Sequence, residues 1–199
     1  MWKVAWESEL NQLVKLGTWK VVERPRDKPV IPFGIVLHEK PRSDGQIIKR
    51  KARCVAGGHK QEEGVNYWDT FATAAKINSI QIVLAIAVQL DLEIDQIDVV
   101  AAYLNSDLED EVYMEAPLGV LMEGQDGMVC KLLKALYGLK QAGRAWYKRM
   151  LKEFLSMGFW VLNSNQSVFI RKHSEGNLVV SVLRHNADTG FGFFPRFVP

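Results

Sequence analysis

The chain has 199 residues, 48% of them apolar and 24% charged, enough to bury one ordinary core and a small second lobe, which excludes disorder over most of its length. Its longest apolar run, Ile80 to Leu90 broken by Gln81 and Gln89, is about half a membrane span. The start Met1-Trp2-Lys3 lacks a secretory pattern, so a soluble protein of the cytoplasm or nucleus with no membrane partner is expected. The net charge of +2 hides a division: residues 1–60 carry 13 basic and 6 acidic side chains, residues 61–130 carry 1 and 14, and residues 131–199 carry 11 and 3. Basic flanks around an acidic centre suit a protein that holds phosphates with Lys and Arg and metal ions with carboxylates, although acids such as Glu109-Asp110-Glu111 also suit a solvated loop.

In chain order, apolar residues at Trp2, Val4, Trp6, Leu10, Leu13 and Leu16 predict an amphipathic helix closed by Gly17. Thr18 to Val22 and Val30 to Leu37 read as strands, and a Ser43-Asp44-Gly45 turn leads into a strand over Ile47 to Ala56 that Gly57-Gly58 ends. Together these make a basic β-hairpin. Ser79 is placed to cap a helix over Ile80 to Leu90, and Ile94 to Val99 reads as a buried strand with Asp98 near its end. A short helical stretch over Ala101 to Asn105, a strand over Val112 to Glu115 and a loop at Pro117 and Gly119 follow. Trp146, Met150, Phe154 and Leu155 predict a helix between Arg144 and Met157, ended by Gly158. Ser167 to Lys172 and Asn177 to Leu183 should pair across Ser174-Glu175-Gly176. After Arg184 the texture changes: four Phe, two Pro and two Gly occur in the last sixteen residues with no clear period. Cys54 and Cys130 are far apart, and His38, His59, His173 and His185 stand at no ligand spacing, so buried thiols are expected rather than a disulfide or a zinc site.

Periodicity yields a mixed α+β chain; the functional reading comes from motifs. Lys51-Ala52-Arg53-Cys54-Val55-Ala56-Gly57-Gly58-His59-Lys60-Gln61-Glu62-Glu63-Gly64-Val65-Asn66-Tyr67 and Thr70-Phe71-Ala72 form one block. Gln96-Ile97-Asp98-Val99-Val100-Ala101-Ala102-Tyr103-Leu104-Asn105 forms a second, Val112-Tyr113-Met114-Glu115-Ala116-Pro117 a third, and Leu136-Tyr137-Gly138-Leu139-Lys140-Gln141-Ala142-Gly143-Arg144-Ala145-Trp146 a fourth. In this order and spacing the blocks resemble the copia-type retrotransposon reverse transcriptases, over residues 2–183.

The resemblance implies a partial right-hand polymerase fold of fingers and incomplete palm, a mixed or antiparallel sheet with packed helices. Fingers would lie mainly over 18–80, palm over 81–183, and 184–199 would be an unrelated tail of a composition compatible with disorder. It implies an RNA template, a DNA primer and deoxynucleotides as partners, with two Mg²⁺ ions as cofactors. Asp98 matches the first metal-binding and catalytic aspartate. Lys51 and Arg53, two apart on a strand and so on one face, would grip a triphosphate that the backbone at Val99 also lines. Tyr103 would block a ribose 2′-hydroxyl, and Gln141 would lie against the nascent base pair. Lys49, Arg50, Lys140 and Arg144 would contact nucleic-acid phosphates. Taken without the family, each residue has a plainer reading: a solvated basic strand, a structural aspartate, an aromatic in the core.

The chain departs from the family at Gly143, where proline is usual, and at Gln81, where arginine is usual. The larger departure is after Leu183. There the family carries a Tyr-x-Asp-Asp turn, whereas this chain reads Arg184-His185-Asn186-Ala187, with Asp188 one place out of register. An amide and a methyl group supply no negative charge to a second metal ion. The expectation is therefore a fragment of an RNA-directed DNA polymerase, interrupted before its second carboxylate motif and inactive. The alternatives are a non-catalytic RNA- or DNA-binding remnant, or a functionless gene-model product.

Overall fold

A computed structural model describes residues 2–43, 46–73, 75–173, 176–185 and 189–196, without the side chains of residues 96–98 and of those from 173 onward. In chain order the described residues form α1 (Trp2–Lys15), β1 (Trp19–Val22), β2 (Val30–Ile31), β3 (Phe33–Pro41), β4 (Ile47–Ala56), α2 (Ile77–Gln89), β5 (Glu93–Val99), β6 (Tyr113–Glu115), β7 (Val129–Leu132), α3 (Ala142–Ser156), β8 (Trp160–Leu162), β9 (Asn165–His173), β10 (Gly176–His185) and β11 (Thr189–Arg196). They divide into two compact units, each made from two stretches of chain: residues 1–70 with 103–145, and 71–102 with 146–199. This is a mixed α+β architecture.

The three helices end alike. Gly17, Asp91 and Gly158 take φ values of 63°, 52° and 82°, and the amide of the next residue reaches back across the last turn, from Thr18 to Leu13, Leu92 to Ala87 and Phe159 to Phe154. That closure satisfies carbonyls a helix end would otherwise leave open. The expected cap at Ser79 is corrected: α2 starts at Ile77, with Lys76 in the cap position and no side-chain cap bond. Ser79, inside the first turn, instead accepts a 2.6 Å bond from Asn165 Nδ2.

In the first unit, β1, β7, β6 and β2 form one sheet in that order, and β3 pairs with β4 in a separate two-stranded ribbon. The strand expected over Val30 to Leu37 breaks at Pro32, which has no N–H for a ladder; its carbonyl accepts from Gly57 N at 2.7 Å. The core is built from fully buried Leu13, Ile31, Leu104, Val112, Met114, Val129 and Leu136. α1 lies against β4. In the second unit the sheet order is β5-β11-β10-β9-β8, with the pairs along it antiparallel, and α2 packs against β10 and β11. Phe154, Phe159 and Phe169 form its aromatic centre, with ring centroids 4.7 Å and 5.3 Å apart for the two Phe154 pairs. β5 is an edge strand rather than the buried one expected: Ile94 is 42% exposed. Residues 189–196, which show no period in sequence, form β11 between β5 and β10. Among the described residues no helix is long and apolar enough to cross a membrane.

Candidate functional site

The β3–β4 ribbon sorts its cations by strand parity. Direct cross-strand partners are Val36 with Arg53, His38 with Lys51, Glu39 with Arg50 and Lys40 with Lys49. Alternation then puts Lys49, Lys51 and Arg53 on one face, while Ala52, Cys54 and Ala56, all buried, turn to the other. Arg50 belongs to that second face. Its Nε is 2.7 Å from Glu39 Oε1, and its guanidinium stands 5.6 Å from the Trp2 ring. The structure thus brings together Lys49, Lys51 and Arg53 and separates Arg50 from them.

Glu9 of α1 braces the same strand from behind, accepting from the Cys54 backbone N at 3.2 Å. Burial raises its pKa above the ordinary value, opposed by that hydrogen bond and by the positive charges of Arg53 and Lys51. Cys54 and Cys130 are buried free thiols, each pushed up to about 12 chiefly by desolvation, so neither is a nucleophile at neutral pH.

The fourth motif docks on the end of β4 backbone to backbone. Ala56 N donates to Tyr137 O at 2.7 Å. Gly138 has φ of 91°, and a Cβ on it would stand 2.2 Å from Ala56 O; one on Gly58 would stand 2.0 Å from Gly138 O. Only two glycines allow this approach. Tyr137 then collects the other motifs: Arg53 lies 5.4 Å from its ring centroid, and Tyr103, 8% exposed, packs against it at 5.1 Å.

Behind this contact lies a buried amide network. Gln61 Nε2 donates to Gln141 Oε1 at 3.0 Å, and Gln141 Nε2 donates to Asn66 O at 2.9 Å and Asp110 Oδ2 at 3.1 Å. Gln61 Oε1 accepts from Lys140 N at 2.8 Å. Gln141, 3% exposed, therefore spends both amide protons inside the protein. Lys140 Nζ donates to Tyr67 Oη at 3.2 Å and Gln61 O at 3.1 Å and sits 4.8 Å from the Tyr67 ring. Arg144 Nη1 lies 2.8 Å from Asp69 Oδ2. Lys140 and Arg144 both stand on this loop-to-loop junction.

In the second unit, Asp98 and Val99 end β5, opposite Phe191 and Gly190 of β11. The chain leaves β5 through Ala101, whose φ of 54° is unusual for a residue with a side chain. The side chain of Asp98 lies outside the described residues, as do Asn186, Ala187 and Asp188. Among the described residues no three His, Cys, Asp or Glu side chains converge as metal ligands.

Sequence reasoning passed over Gln61, Asn66, Asp110 and Tyr137 as site residues and missed Glu9. Gln61 and Tyr137 were visible as motif positions. Their partners, Gln141 for Gln61 and Arg53 for Tyr137, were not, because each contact spans distant stretches of chain.

Residues 16–186 match the family described as reverse transcriptase (RNA-dependent DNA polymerase). The chain is 38% identical over 179 residues to the Retrovirus-related Pol polyprotein from transposon TNT 1-94 of Nicotiana tabacum, covering 90% of this chain and 14% of that one. It is 40% identical over 170 residues to the Retrovirus-related Pol polyprotein from transposon RE1 of Arabidopsis thaliana, covering 85% and 12%. It is 31% identical over 159 residues to the Truncated transposon Ty1-A Gag-Pol polyprotein of Saccharomyces cerevisiae, covering 76% and 12%. The chain thus spans no more than 14% of the length of these three relatives.

Proposed function

Because the chain belongs to the copia-type reverse transcriptases, the RNA-dependent DNA polymerase domain of retrotransposon Pol polyproteins, we propose that it is the fingers and front palm of such a polymerase and does not itself make DNA. In this reading Lys51 and Arg53 hold a deoxynucleotide triphosphate and Tyr103 bounds the sugar. Support comes from the shared face of Lys51 and Arg53 and from the Tyr137 ring that Arg53 and Tyr103 both touch. Gln141 acts by fixing its loop, since its amide is bonded to Gln61, Asn66 and Asp110. Lys140 and Arg144 lie on the same loop and helix start, next to a primer–template.

The observation that carries the inactivity is Asn186-Ala187 in place of an aspartate pair. Bound magnesium would supply activation of a primer hydroxyl and charge for a leaving pyrophosphate. Asp98 would be one ligand, and one carboxylate does not offset two dications held about 4 Å apart. Primer extension on an RNA template with deoxynucleotides and magnesium should show no incorporation. Incorporation that Asp98→Asn abolishes would overturn the reading.

A second reading is favoured by the cations on one ribbon face: the chain binds RNA or DNA without catalysis. Affinity that falls steeply with salt and is lost on reversing Lys49, Lys51 and Arg53 supports it. Salt-independent binding counts against it.

A further inference from the structure

Of the three helices among the described residues, α2 alone presents no charge to solvent. α1 and α3 turn Lys3, Glu7, Arg149 and Glu153 outward, in ion pairs one turn apart. From Ile77 to Leu90 there is no charged residue at all. One side of α2, with Ile80, Val83 and Ala87, is buried, yet Ile82 on the opposite side is 60% exposed and Val88 is 77% exposed. A helix apolar all round is one whose outer face is covered too. A helix that lies on a membrane surface would carry Lys or Arg along its polar edge, which α2 lacks.

The order of residues on that outer face says what covers it. Its centre is Ala85, exposed and small. At 3.6 residues per turn, Gln81 and Gln89 lie about 40° to either side of Ala85, and Ile82 and Val88 about 60° to either side. All four are exposed. Amide thus matches amide and branched aliphatic matches branched aliphatic across Ala85, which is the condition for a face to fit a copy of itself on a two-fold axis.

We propose that α2 pairs antiparallel with α2 of a second copy of this chain, on an axis through Ala85. The small side chain at the crossing lets the helices approach to about 8 Å. Ile82 of one copy then packs on Val88 of the other, and Gln81 meets Gln89, whose amides both donate and accept and so satisfy each other. The antiparallel sense sets the Lys76 end of one helix beside the Asp91 end of the other, opposite in charge and in helix dipole. No charge on either face has to be desolvated, whereas a charged partner would find no counter-charge on α2.

The test is sedimentation of the full chain over the micromolar range, where the parent should be a concentration-dependent dimer. Ala85→Lys and Ala85→Glu each set a charge against itself at the axis, and each should weaken the dimer at least about a hundredfold. An equimolar mixture of the two should recover it as a heterodimer, which also shows that both variants are folded. Gln81→Arg, which places a charge beside the axis without meeting its own copy, should weaken the dimer about tenfold. A parent that stays monomeric over this range overturns the proposal and leaves α2 to a different partner. A dimer that Ala85→Lys leaves at parental strength also overturns it, because the interface then lies elsewhere. Variants that keep the parent's circular dichroism but fail to pair in the mixture overturn the two-fold axis at Ala85. If either variant loses that spectrum, Gln81→Arg decides, and parental dimer strength in it overturns the proposal.

Discussion

The side-chain amide of Gln61 donates to the side-chain oxygen of Gln141 at 3.0 Å, in the core of the first unit and across 80 residues of chain. Each of the two amides is also tied to a backbone group of the opposite loop: Gln61 accepts from Lys140 N, and Gln141 donates to Asn66 O. The pair works as a two-sided clasp between the first and fourth motifs. Removing either half takes the partner from one buried amide atom of the other, Gln141 Oε1 or Gln61 Nε2.

Gln61→Ala and Gln141→Ala should each lower stability by about 1–3 kcal/mol, the cost of orphaned buried polar groups. Gln141→Glu should be worse, because it replaces two donors by a carboxylate facing Asp110. Urea unfolding at neutral pH measures the order. Gln141→Ala indistinguishable from the parent would remove the clasp from the account.

The glycine contact gives a graded test. Gly138→Ala meets both a positive φ and the Ala56 carbonyl at 2.2 Å, and should cost about 3 kcal/mol or more. Gly124→Ala, with φ of 82° and nothing within 4 Å of the new Cβ, should cost about 1 kcal/mol. Equal losses in thermal or urea unfolding would show that close approach contributes nothing at Gly138.

Glu9 predicts a pH dependence. Its ordinary value is 4.5, and burial holds it higher in the folded chain. A carboxyl with a raised folded value binds its proton more tightly when folded, so its contribution favours folding below the unfolded value and is lost as pH rises through the raised one. Glu9→Gln keeps an oxygen for the Cys54 amide and removes the buried charge. It should therefore gain stability relative to the parent between about pH 4 and about pH 7. A difference between the two proteins that stays flat over that range, followed by urea midpoints, contradicts the assignment.

The strand Thr189–Arg196 makes the fourth prediction. It stands between β5 and β10, so deleting residues 189–196 strips ladder bonds from both. Hydrogen exchange should show faster exchange of β5 and β10 amides with little change in β1, β6 and β7. Unaltered protection of β5 would mean that β11 does not hold it.

Much of this structure is legible locally. Alternation shows the β3–β4 ribbon, and Gly17 and Gly158 mark helix ends by a preference that needs no tertiary contact. β7 and β8, four and three residues long, are too short for a period to register. Parity alone separates Arg50 from Lys49 and Lys51, yet a run of cations reads as one patch until its partners Glu39 and Trp2 are known. Pro32 announces the break that splits β2 from β3. What no local pattern supplies is the state of Gln141, whose amide is filled by Gln61 and by Asp110, 80 and 31 residues away. Tyr103 likewise needs Tyr137 before its burial can be seen.

The interleaving of the two units, each assembled from two stretches of chain, bears on synthesis. A ribosome releases α1, the ribbon and β2 well before β6, β7 and the Tyr137-Gly138 loop that complete their unit. At about 5–20 residues per second the wait from Thr70 to Ala145 lasts several seconds. Over it the Ala56 end of β4 waits for Tyr137, its backbone partner, and α2, once made, waits for β10 and β11. That interval, rather than the finished protein, is when chaperone capture or mispairing between neighbouring nascent chains has its opening.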